Sequence, residues 1–153
     1  MDRSLVLSVS AGTGYYRHIQ ISEGAVLYEL HEAILESFGF DDDHMHAFFM
    51  NNRAWDEDAV YICPEGELNG SRGFTTKAKL SKFRLSKGSR FLYIFDFGDD
   101  WRFSIKVLHV VEEATPKPIV LKRVGEIDQY GCSDYDEDDY DDEEDALDEN
   151  EAE

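Results

Sequence analysis

The chain has 153 residues with 42% hydrophobic and 13% aromatic content, which fits one globular α+β domain and is too short to expect two. Its formal charge of −19 is concentrated at the end: 14 of residues 134–153 are acidic and none is Lys or Arg, leaving 20 acids against 15 bases before them. No apolar run approaches the ~18–20 residues of a membrane span, and MDRSLVLSVS is too short for a signal-peptide core, so a cytoplasmic protein without membrane contact is expected.

Leu5 and Leu7 alternate with Val6 and Ser8, predicting a strand over Ser4 to Ser10. Gly12-Thr13-Gly14 then turns the chain into a second strand, Tyr15 to Ile21. The G-x-G is not a phosphate loop, because no helix follows it directly. Ser22 is a candidate N-cap and Gly39 a stop signal for a helix over about Ala25 to Phe38. At 100° per residue, Leu30, Ile34, Leu35 and Phe38 share one face with Leu27, and Glu29, Glu32 and Glu36 fall opposite. His31 lies roughly 40° from the centre of the apolar face and so points inward.

After an Asp41-Asp42-Asp43 loop, His44 to Asn51 reads as a third strand, with His44, His46 and Phe48 on one side and Met45, Ala47 and Phe49 on the other. The pattern fails from Asn51 to Thr76, apart from a short strand at Val60 to Cys63, which suggests a functional loop or an insertion. Lys77 to Leu85 predicts a short edge strand or helical turn. Pro116 and Pro118 end the strand before them, and Ile119 to Val124 makes a last edge strand.

The organising stretch is FLYIFDFGDDWRFSIKVLHVV, residues 91–111, which reads as a hairpin turning at Gly98-Asp99-Asp100. A three-residue loop sets Phe97 opposite Trp101, Phe95 opposite Phe103, Tyr93 opposite Ile105 and Phe91 opposite Val107, one wholly apolar face. The same register pairs Asp96 with Arg102 on the other face. This hairpin, together with LHEAILESFGFDDDHMHAF at residues 30–48, resembles the plasmid pRiA4b ORF-3-like family, whose members carry a YDFGDxW-type hairpin and a GWDDxHxH-type segment. The similarity spans roughly residues 5–130; Phe103 stands where many members have histidine, and the family's longer proline- and glycine-rich C-terminal segment is missing. What the resemblance implies is chiefly a fold; labels on some relatives link them to transposon or resolvase activity.

The expected architecture is therefore α+β: one amphipathic helix on a curved, largely antiparallel, β-grasp-like sheet over residues 1–130, followed by a disordered acidic tail, residues 131–153. Two groups can carry chemistry. His31, His44 and His46, beside Asp41, Asp42 and Asp43, are a candidate for a divalent metal on His44 and His46. Asp96, Asp99, Asp100, Trp101 and Arg102 at the hairpin tip can join them in one pocket. The competing account makes His31 a core histidine and gives the turn aspartates local hydrogen bonds. Cys63 and Cys132 form no C-x-x-C pair and read as idle thiols.

Lys77, Lys79, Lys82, Arg84, Lys87 and Arg90 make a basic cluster, the one candidate nucleic-acid footprint in a chain whose overall charge opposes it. The acidic tail can fold back over that cluster and compete with phosphate. No catalytic motif and no cofactor motif is present, so the sequence favours a non-enzymatic binding or adaptor module for protein or nucleic-acid partners over a metal-dependent enzyme.

Overall fold

A computed structural model describes residues 3–56, 58–63 and 75–127. The acidic tail, most of the loop before Thr75, and Cys132 lie outside the described residues. Seven strands form one open sheet: β1 Ser4–Gly12, β2 Tyr15–Ser22, β3 His46–Phe49, β4 Val60–Ile62, β5 Arg90–Phe95, β6 Trp101–Val111 and β7 Ile119–Val124. Their spatial order is β4-β3-β5-β6-β1-β2-β7, and every pairing between them is antiparallel. The β-grasp likeness goes no further than the β-β-α-β start. Register shifts in β1, β2 and their partners are bulges, which bend and twist a sheet of this size.

One helix, α1 (Leu27–Phe38), covers the sheet with Leu27, Leu30, Ile34, Leu35 and Phe38 inward, as its spacing predicts. They meet Leu5, Leu7, Val9, Ile19, Ile21, Phe91, Tyr93, Phe95, Phe103, Ile105 and Val107 in the main core. Each such side chain contributes about 1.5–3 kcal/mol when fully buried. A second, smaller core of Ala47, Phe49, Ile62, Cys63, Leu92 and Ile94 lies on the opposite face of β3, β4 and β5. Alternation along β3 thus feeds two cores, and all four of its residues are buried.

Ser22 is not the helix cap. It ends β2, and its Oγ accepts from the Gly24 amide at 3.2 Å, within a turn that delays the helix to Leu27. Val26 at the N-cap offers no side-chain acceptor, so the first helical amides find main-chain carbonyls instead: Leu27 donates to Ala78 O and Tyr28 to Thr76 O, both at 2.8 Å. Glu29 reaches back to the Val26 amide at 3.2 Å. Gly39 ends the helix as expected, at φ 76°, the left-handed conformation glycine adopts freely. The segment after Thr76 is a 3-10 turn, Leu80–Phe83, whose Leu80 plugs into the main core.

The central hairpin keeps the predicted apolar face with a different register. Phe95 pairs with Trp101, Tyr93 with Phe103 and Phe91 with Ile105, because the loop is five residues long, Asp96 to Asp100. The slip is two residues, so parity and the core face survive. Arg102 stands opposite Ile94, not Asp96, and takes Asp100 as its partner through Nε at 3.1 Å. Phe97 leaves the main face and joins the second core beside Trp55, ring centroids 5.0 Å apart. Gly98 does not supply the backbone freedom; Asp96 (φ 64°) and Asp100 (φ 59°) take the left-handed conformation. Among the described residues, no helix is long and apolar enough to cross a membrane.

Candidate functional site

The helix and β3 bring two of the three predicted histidines into contact. His31 is carried into the core by the apolar face of α1, His46 by the inward parity of β3, and their rings stack with centroids 3.6 Å apart and planes 11° from parallel. His31 is fully buried and both its nitrogens are engaged: Nδ1 with the Tyr93 hydroxyl at 2.6 Å and Nε2 with Asp42 Oδ2 at 3.1 Å. A carboxylate only accepts, so the hydrogen bonding assigns the proton to Nε2 and has the Tyr93 hydroxyl donate to Nδ1. His46 Nε2 meets Thr76 Oγ1 at 3.1 Å. Burial, reinforced by the neighbouring His31, lowers the His46 pKa to about 2, so this imidazole is neutral at physiological pH. Burial raises the Tyr93 phenol well above its ordinary range, with Asp42 adding to the effect.

His44 is separated from that pair. It precedes β3, with Nε2 3.3 Å from Asp43 Oδ1 and 3.5 Å from Asp96 Oδ2, and its ring meets the edge of Phe95. Asp96 is buried at the start of the hairpin loop, where its Oδ1 accepts from the Asp99 amide at 3.3 Å and its carbonyl from the Asp100 amide at 2.6 Å. The two predicted groups thus touch through His44 and Asp96. Asp100 and Arg102 pair with each other, and Trp101 packs edge-on against Phe40 at 4.9 Å. The Trp101 indole nitrogen is the buried side-chain polar atom left without a partner among the described residues.

Parallel rings 3.6 Å apart cannot both aim an in-plane lone pair at one ion. Among the described residues, no group of three or more His, Cys, Asp or Glu side chains is placed to hold a metal. The hydrogen bonds form a chain that runs from the buried Tyr93 through His31 to Asp42 at the surface.

All six residues of the basic cluster are exposed. None has a carboxylate within 4.0 Å among the described residues. Arg90 opens β5 opposite Lys106, a like-charge cross-strand pair. The sequence reading missed Tyr93 as a polar member of the core; the signal was a tyrosine on the face toward which His31 points. It also missed Arg17, which shares the inward parity of Ile19 and Ile21 and is 3% exposed.

Comparison with curated proteins finds no match. A crystal structure of a protein of unknown function, MM3350 from Methanosarcina mazei Go1, is similar with a TM-score of 0.62 at 25% identity, over 80% of this chain and 70% of that one. The sequence model of the plasmid pRiA4b ORF-3-like family matches residues 10–150, so all but the last three residues of the acidic segment fall within the matched span. With that match over most of its length, and with the hairpin and the helix-to-β3 segment in place, this chain belongs to the plasmid pRiA4b ORF-3-like family.

Proposed function

We propose that the chain is a non-enzymatic binding or adaptor module for protein or nucleic-acid partners, and that segment 77–90 is its contact surface. One observation carries this reading: six exposed cations on one stretch have no carboxylate within 4.0 Å among the described residues, in a chain of net charge −19. The main chain beneath them is fixed, since Ala78 O accepts from Leu27, Leu80 donates to Ala25 O and Ser81 donates to Glu23 O, all within 2.8–2.9 Å. Charges on a fixed backbone lose less entropy on binding an anionic partner. A tie to plasmids or other mobile elements, suggested by the family name, fits a nucleic-acid partner.

The histidine cluster supports the same conclusion from the other side, because its hydrogen-bonding capacity is directed inward. The test is charge reversal at Lys79 and Lys82 in the full chain, read by anisotropy of a labelled duplex at low salt and by pull-down. Reduced capture is expected, with a nucleic-acid salt slope shallower by about one for each phosphate that is no longer neutralised. Capture unchanged in both assays contradicts the assignment, and so does stoichiometric metal in the purified protein that His44→Ala removes.

A further inference from the structure

A cavity of about 400 Å³ opens between the C-terminal turn of α1 and the end of β7, with Arg17, Glu36, Phe38, Arg123, Gly125 and Glu126 in its wall. That volume lies in the range of small-molecule sites. Arg17 enters it from within the fold. Its Nε donates to Ser37 O at 2.8 Å, and its Nη1 donates to Tyr16 O at 2.9 Å and to Val124 O at 2.8 Å. Among the described residues Nη2 has no hydrogen bond, and Arg17, though only 3% exposed, lines the cavity.

Arg123 comes from β7 to the same place, where its Nη1 donates to the same Ser37 carbonyl at 2.9 Å. One donor suffices to satisfy that helix-end carbonyl. The second guanidinium and the unused edge of the first exceed what capping α1 requires. Arg17 has a lowered pKa from burial and then from Arg123, with Glu126 opposing, which marks two like charges held close. Glu36 and Glu126 line the wall, but among the described residues neither comes within 4.0 Å of either arginine.

We propose that this cavity binds a small molecule through a single carboxylate or phosphate group, gripped by Arg17 Nη2 and Arg123. A planar guanidinium edge matches either oxyanion in a bidentate fork. The two glutamates repel anions of higher charge and suit a ligand whose remainder is neutral or cationic. The site shares no residue with the 77–90 surface, so either assignment can fail without the other.

The test titrates the full chain with acetate and, separately, with inorganic phosphate, following the Arg17 Nε–Hε resonance, with chloride as the ionic-strength control. At least one oxyanion is expected to shift it saturably, with Kd up to about 10 mM, and the arm that saturates identifies the group. Arg123→Gln, an exposed position, is expected to weaken binding tenfold or more while its circular dichroism matches the parent. Arg17→Lys, which keeps the charge and loses the fork, should weaken it too where it folds, read on the Arg123 Nε–Hε resonance because the Arg17 reporter is gone; Arg123→Gln decides the matter where it does not. No saturable shift, the same shift with chloride, or parental binding in Arg123→Gln overturns the proposal.

Discussion

His31 and His46 stack face to face in the core at 3.6 Å, and the pair is compatible with the fold only while His46 remains uncharged. In the unfolded chain His46 titrates near 6.5, whereas in the folded chain its pKa is lowered to about 2. Below 6.5 the unfolded state therefore binds a proton that the folded state refuses. Stability is fully present above that value and is lost as pH falls from 6.5 toward 2, by up to about 1.4 kcal/mol per pH unit from this one group. Urea unfolding at pH 7 and pH 5 should show the loss in the parent and a shallower one in His46→Gln. Parallel pH profiles for the two proteins would sink the claim.

Tyr93 is fully buried, and its hydroxyl is the donor that satisfies His31 Nδ1. Tyr93→Phe keeps the ring contacts with Phe48 and Phe103 and deletes only that donor. An orphaned buried acceptor costs about 1–3 kcal/mol, and denaturant unfolding should return a loss in that range with an unchanged m-value. Asp42, by contrast, is 43% exposed, so Asp42→Asn should cost less than Tyr93→Phe. The reverse order would place the weight of the chain at its solvent end.

The hairpin loop makes a prediction against ordinary expectation for its glycine. Gly98 has no positive φ, and a Cβ there would meet only Asp96 Oδ1 at 3.6 Å, ordinary contact. Gly98→Ala should be neutral or stabilise by up to about 1 kcal/mol through the unfolded chain. Asp100 sits at φ 59°, where a β-branched side chain is strained, so Asp100→Val should cost about 1–3 kcal/mol. Thermal midpoints of the two variants give the comparison, and a larger loss from Gly98→Ala would refute it.

These residues also show what a one-dimensional reading can and cannot reach. Periodicity along α1 and the hairpin was enough to place Leu30, Ile34, Phe95 and Phe103 in one core, because side-chain parity is a local property. Loop length is not local in that sense. Asp96 looked like the cross-strand partner of Arg102, but it is drawn into the loop by its bonds to the Asp99 and Asp100 amides, which moved every pair by two. The start of α1 was misplaced for a related reason: its free amides are met by carbonyls some 50 residues away, at Thr76 and Ala78, which no capping motif near Ser22 could announce. Tyr93 joining His31 and His46, and Arg17 joining Arg123, depend on elements distant in sequence crossing at one point, information carried by the sheet order alone.

Residues 134–153 contribute 14 acidic side chains and no Lys or Arg, against six cations on segment 77–90. Both features are legible in the sequence, and their opposite charge predicts that the acidic stretch competes with any anionic partner of that segment. Deleting residues 134–153 leaves 20 acids against 15 bases, so long-range repulsion of a polyanion also falls. Affinity for a labelled duplex at low salt is therefore expected to rise on deletion, and to rise less when Lys79 and Lys82 are reversed in the same background. Repulsion alone would raise both backgrounds equally, whereas competition for the cations would raise the background that keeps Lys79 and Lys82 by more. No gain in binding on deletion would show that the acidic stretch does not mask this surface.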